Sequence, residues 1–188
     1  MRRWLSVVPI IIVPLFFVAR AAELDGLPIP DTLQVDGKML HLNGFGLRTY
    51  SILDLHIYVA SLYLEHPSNN PDEIIRSPET KLMTVKFERG ISADRARNAW
   101  RENLENNCLA PCHLDPEDVE RFLSLVPAMH AGDNYDLIFR HNGATVTVNG
   151  QEIGTFYKRQ FAEVMLATFI GPNTKLPGLR QALLRGHS

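Results

Sequence analysis

Residues 42–65 read LNGFGLRTYSILDLHIYVASLYLE. The stretch opens on two glycines, Gly44 and Gly46, which lend backbone freedom just ahead of a strand. Beyond them, residues 49–53 and 55–64 predict a strand pair reversing around Asp54. In the longer strand one alternate set is Leu55, Ile57, Val59, Ser61 and Tyr63, and the other is His56, Tyr58, Ala60, Leu62 and Leu64. Both sets are largely apolar. Successive strand side chains point to opposite faces, so both faces of this strand are expected to be covered.

The same reading extends outward. Residues 32–42 (TLQVDGKMLHL) predict two short strands around Asp36-Gly37, a tight-turn dipeptide. Residues 81–87 (KLMTVKF) predict another strand, closed by the breaker Gly90. Ser92 caps a helix from Ala93 to Asn107, whose Ala96, Ala99, Trp100 and Leu104 recur at helical spacing. Asp115-Pro116 opens a second helix, with Glu117 and Asp118 at its positive end. Residues 135–140, 144–148 and 151–155 predict three strands joined by Asn142-Gly143 and Asn149-Gly150. A helix over 156–169 is stopped by Gly171-Pro172, and a short last helix spans 176–184. Roughly seven strands, mostly joined as hairpins, and four helices make an α+β fold, an antiparallel sheet with helices packed on one face. A slot between a helix layer and a curved sheet suits a small apolar ligand.

Composition removes other classes. The chain has 188 residues, with 19 basic against 21 acidic side chains, too balanced for a protein that coats nucleic acid. Its apolar fraction of 45% is too high for a disordered chain. Two cysteines cannot make a disulfide-rich scaffold or a four-cysteine zinc site.

Residues 1–21 read as an address. Arg2 and Arg3 precede an apolar run, LSVVPIIIVPLFFV, and Ala19-Arg20-Ala21 supplies the small residues of a signal-peptidase site. The run falls short of the roughly 20 apolar residues of a membrane span, although an uncleaved anchor is the competing reading. Cleavage after Ala21 leaves residues 22–188 as one domain, with no further membrane span, in an oxidising space; the bacterial periplasm is preferred.

In such a space Cys108 and Cys112 (NNCLAPCH) predict a local disulfide. Haem attachment and a redox dithiol are the alternatives, and both motifs need two intervening residues where this chain has three. The seven histidines show no metal-ligand spacing, and no nucleophile elbow, phosphate loop or dinucleotide fingerprint occurs. No metal or other cofactor is expected. Arg48 stands out because it follows the two glycines inside an apolar stretch. A guanidinium keeps its charge when partly buried, and its fork can hold a carboxylate or phenolate. The plainer reading is an arginine at a strand end pointing into water.

Residues 42–65, with their L-x-G-x-G-x-R motif and Tyr63-Leu64-Glu65 ending, resemble the chalcone isomerase-like family. Residues 161–184 (FAEVMLATFIGPNTKLPGLRQALL) resemble that family's terminal helix, its Thr-x-Ile-Gly break and its closing helix. The resemblance spans most of residues 25–185. It implies an open-faced sandwich, a long antiparallel sheet with helices stacked on one face and a cleft between. Plant enzymes of the family close a flavanone ring; other members bind fatty acids, with an Arg and a Tyr on the carboxylate. Arg48 matches the family Arg. Alignment on Tyr63-Leu64-Glu65 puts Tyr58 where the enzymes carry a catalytic Thr, and a Tyr there resembles the fatty-acid binders. Thr168 matches the Thr of the terminal helix. The helix over 93–107 has no Tyr for the enzymes' second catalytic group, and Asn98 and Asn103 are the nearest matches to their Asn.

Taken with the presequence and the charge balance, the resemblance implies a periplasmic protein that holds a small lipophilic anion, with no nucleic-acid partner. Arg48 would pair with the head group, Tyr58 would donate to it, and Asn103 and Thr168 would line the cleft. Phe45, Ile57, Trp100, Met165 and Phe169 are candidates for the tail, with core packing the plainer role for each. The alternative is an intramolecular lyase in which Arg48 stabilises an oxyanion and Tyr58 donates a proton. A third reading is a partner-binding module presenting the polar loop 65–78 (EHPSNNPDEIIRSP).

Overall fold

A computed structural model of the chain describes residues 22–24, 26–50 and 55–186. The presequence and the reversal around Asp54 lie outside the described residues. The chain enters by a small hairpin, β1 (Ala22–Leu24) and β2 (Leu27–Ile29), which forms a two-stranded sheet of its own. Next come β3 (Thr32–Val35) and β4 (Lys38–Tyr50), joined at Asp36 and Gly37. Both turn residues hold positive φ, 52° and 78°, as a two-residue hairpin turn demands. Antiparallel to β4 runs β5 (Leu55–Leu64), followed by α1 (Pro71–Arg76), β6 (Lys81–Phe87), α2 (Ala93–Asn107) and α3 (Pro116–Leu125). The meander then continues with β7 (Asn134–Arg140), β8 (Gly143–Val148) and β9 (Gln151–Phe156), and ends on α4 (Arg159–Ile170) and α5 (Pro177–Leu183).

The main sheet has seven strands in the order β3 to β9, every neighbouring pair antiparallel. This is the expected α+β architecture, with one rearrangement. The expected strand ending at Leu42 and the one over 49–53 are a single strand, β4, which runs straight through both glycines. Gly44 and Gly46 thus lie mid-strand, and their value is the missing Cβ. A Cβ on Gly44 would overlap the carbonyl oxygens of Ala182 and Leu183, and one on Gly46 would stand 2.7 Å from Ala182 Cβ. The glycines let α5 lie directly on β4.

Sheet alternation sorts the core. Ala60, Leu62 and Leu64 of β5 pack beneath the helices with Met83, Leu137, Phe161 and Met165. Val59 and Tyr63 belong to a smaller cluster on the other face, with Ile29, Leu40, Leu42 and Leu82. The second half of β5 is thereby buried on both faces, as its two apolar sets require. Central to the helix layer is α4, buried at every position from Val164 to Ile170. A helix apolar on all sides must be surrounded, and it contacts α1, α2, α5, β7 and β8.

The loop over 65–78 contains α1, capped by Asn70 Oδ1 at 3.1 Å from Asp72 N, with Pro71 at the first turn. Only Ile74 of its six residues is buried, too short a run for periodicity to register. The fourth helix starts at Arg159 rather than 156, because Phe156 completes β9 against Ala144. No helix among the described residues is long and apolar enough to cross a membrane.

Candidate functional site

Two bulges break the β4–β5 ladder. Leu42 pairs with Tyr63 and Gly44 with Leu62, which leaves Asn43 without a partner in the ladder. Its buried side chain donates from Nδ2 to Leu183 O at 2.8 Å and accepts from Ser68 N at 2.8 Å. The α5 end is thereby pinned to the sheet. At the other end of the ladder Arg48 pairs with Tyr58 and Thr49 with His56, so Ile57 is the extra residue. Its carbonyl accepts from both Glu88 N and Arg89 N. Bulges re-aim side chains, and Ile57 leaves the alternation of β5 to join Tyr58 at a common cavity.

That cavity, about 130 Å³, lies between the sheet and helices α2 and α4. Tyr58, Val85, Phe87 and Tyr135 furnish the sheet wall, and Ala96, Trp100, Asn103, Thr168 and Phe169 the helical wall. Aromatic edges hold it in shape. Trp100 meets Phe122 at 5.0 Å and Phe169 at 5.9 Å between ring centroids, and Tyr58 meets Phe87 at 5.5 Å.

Burial pushes the Tyr58 phenol up to about 12, against a smaller opposing pull from the charge of Arg48. Near neutrality Tyr58 is therefore a hydrogen-bond donor, not a base. Arg48 stands directly across from it on β4, on the same sheet face, where cross-strand Cβ atoms are about 5 Å apart. The arginine is half-buried and does not itself line the cavity. Among the described residues it makes no hydrogen bond or ion pair. It flanks the Tyr58 side of the cavity, one strand further out.

The fold gathers Tyr58, Asn103 and Thr168 at one cavity, with Ile57, Trp100 and Phe169 of the suggested tail contacts. Phe45 packs on the opposite sheet face, and Met165 is fully buried in the core away from the cavity. Asn98 is exposed on α2, outside the cavity wall. The Thr168 hydroxyl is engaged, donating to Met165 O at 2.7 Å. Asn103 Nδ2 donates to Ala99 O at 2.8 Å, which leaves its Oδ1 buried without a partner. Tyr135 escaped sequence reasoning. Its signal was the alternation of NYDLIFR, which places Tyr135, Leu137 and Phe139 inward.

At the far end of α2, Cys108 and Cys112 are joined in a disulfide, as their spacing and expected compartment suggested. Neither sulfur remains for haem attachment or dithiol chemistry in this state.

The model of the chalcone isomerase-like family matches residues 21–185. The chain belongs to the chalcone isomerase-like family. Among solved structures, this chalcone isomerase-like protein is similar to the Arabidopsis thaliana fatty-acid binding protein, with a TM-score of 0.72 and 17% sequence identity. The match covers 88% of this chain and 96% of the other. At that identity the likeness speaks for the fold. No curated protein matches the sequence.

Proposed function

We propose that this chalcone isomerase-like protein binds a small lipophilic anion of the fatty-acid kind between its sheet and helices. The observation that carries this reading is Arg48: a half-buried guanidinium, without an ion pair or hydrogen bond among the described residues, paired across the ladder with the cavity tyrosine Tyr58. A carboxylate held by Arg48 and by the Tyr58 hydroxyl would send its tail into the aromatic cavity. Structural similarity to a fatty-acid binding protein supports the same ligand class. A charge-assisted bond contributes about 1.5–3 kcal/mol and each buried CH₂ about 0.8 kcal/mol, so the tail sets affinity and Arg48 sets orientation.

Residues 1–21 act as a cleaved signal peptide and the mature protein works in the periplasm. The disulfide suits an oxidising compartment. N-terminal sequencing of the protein from the periplasmic fraction of its host should begin at Ala22, and intact Met1 on a cytoplasmic protein would overturn this.

The decisive experiment on binding is isothermal titration with saturated fatty acids of increasing length. Affinity rises with each methylene until the cavity is filled, and Arg48→Ala lowers it for every member. Affinity indifferent to both chain length and Arg48 ends the proposal. The lyase reading draws less support, because α2 carries no tyrosine and the Thr168 hydroxyl is bonded to its own helix. A chalcone absorbance assay is expected to run no faster than buffer.

A further inference from the structure

Tyr135 and Asn103 stand on opposite walls of the cavity, one on β7 and the other on α2. Tyr135 is only 4% exposed, and its hydroxyl is buried without a hydrogen-bond partner. Asn103 Oδ1 is likewise buried and unpartnered. The rest of the lining is mostly apolar, with Val85, Trp100, Met129 and Phe169, besides Tyr58 and a Thr168 whose hydroxyl is already bonded to Met165 O. A buried hydroxyl with no partner carries its full desolvation cost, which a phenylalanine in that place would avoid. An unpartnered donor and an unpartnered acceptor on two residues that line one cavity are the complement of a single alcohol group, which accepts from one and donates to the other.

Sheet register places this pair relative to the head-group end. Tyr58 lies opposite Phe87, whereas Tyr135 lies opposite Val85, so Tyr135 is two strands across and two residues along. With strand spacings near 4.8 Å and rises near 3.4 Å, the two Cα atoms are about 12 Å apart. Tyr135 therefore stands well along the sheet wall from the tyrosine beside Arg48.

We propose that the ligand is a hydroxylated amphiphile: an acid whose alcohol, carried along the chain well away from the carboxylate, accepts from the Tyr135 hydroxyl and donates to Asn103 Oδ1. This rests on the fatty-acid-like reading of Arg48 and Tyr58 and sharpens its substrate class.

The test titrates the mature protein with decanoic acid and with the positional series of monohydroxydecanoic acids, in wild type and in Tyr135→Phe. One isomer with its hydroxyl remote from the carboxylate binds about tenfold more tightly than decanoic acid, while 2-hydroxydecanoic acid gains nothing. In Tyr135→Phe the ratio between that isomer and decanoic acid falls to about one. Its melting temperature, at or above that of wild type, shows that the variant is folded. Absence of preference for any isomer, or a preference that survives in Tyr135→Phe, overturns the inference while the head-group reading stands. If no acid of either kind binds, both fall.

Discussion

Gly46 of β4 and Ala182 of α5 touch where the last helix crosses the sheet, with only 2.7 Å between Ala182 Cβ and the point a Gly46 Cβ would occupy. The L-x-G-x-G-x-R spelling is explained by that crossing. Gly44 and Gly46 clear the helix on one sheet face, and Arg48, two residues on, is the next side chain on that face, beside Tyr58. The motif therefore ties the seat of a helix to the placement of a charge.

Gly46→Ala is expected to lose about 1–3 kcal/mol in urea denaturation, the cost of overpacking a fitted contact. Ala182→Gly removes the opposing Cβ, so the double variant should be more stable than the sum of the two single changes. Simple additivity would show that the glycine is needed for something other than this contact. Gly44→Ala should be worse than Gly46→Ala, because its obstacle is helix backbone.

Asn43→Ala removes the acceptor for Ser68 N and the donor to Leu183 O, two bonds of 2.8 Å, the first partly and the second fully buried. Two backbone groups are then left to find other partners, at about 2–4 kcal/mol. Hydrogen exchange should quicken first at α5 and around Ser68. Uniform quickening through the sheet would mean that Asn43 supports the fold globally instead of pinning its last helix.

Arg48→Lys keeps the charge and loses the fork, so it separates electrostatics from geometry. Decanoic acid affinity should fall roughly tenfold in Arg48→Ala and by an intermediate amount in Arg48→Lys, within the range of charge-assisted bonds. Thermal stability should hold in both, since Arg48 supports no ion pair among the described residues. Equal affinities in all three proteins would exclude Arg48 from the ligand.

Lys81 is 4% exposed, its Nζ donating to Ser77 O at 2.7 Å and Glu79 O at 3.0 Å. Burial pulls its ammonium down to about 8, with Glu79 and other carboxylates opposing. An unfolded lysine keeps its proton to about 10.4, so between these values the unfolded chain binds more protons and stability rises with pH. Urea denaturation between about pH 8 and 10 should show a gain of at most about 1.4 kcal/mol per pH unit, absent in Lys81→Arg. Above that window Tyr58 and Tyr63, whose phenols are raised to about 12, act in the opposite direction. A wild type no steeper than Lys81→Arg would refute the assignment.

Much of the fold was legible because its signals are local. Asp36-Gly37 and Asn149-Gly150 adopt the positive φ values that such pairs favour, and Ser92 and Asp115 cap the helices they were expected to start. Signals without a periodic run to support them were weaker. The six-residue α1 reads as loop, and the glycines of β4 read as backbone freedom ahead of a strand, because a missing side chain does not say whether freedom or closeness is its purpose.

At the site, sequence reading named Arg48, Tyr58, Asn103 and Thr168 and passed over Tyr135, although the alternation of its strand carried the signal. Which polar atoms are left open could not be read there. The Thr168 hydroxyl is spent on Met165 O, whereas the Tyr135 hydroxyl is not spent at all, and both facts depend on atoms brought together by packing.

The hairpin turns, the capped starts of α2 and α3 and the two-faced burial of β5 follow from residue type and spacing alone, because turns, caps and alternation act over a few residues. The seat of α5 on β4, the bulge that brings Ile57 to the cavity and the unpartnered atoms inside it were decided by tertiary structure. Each is a meeting of surfaces far apart in the chain, and steric fit or hydrogen-bond satisfaction between such surfaces leaves no periodic trace in either segment.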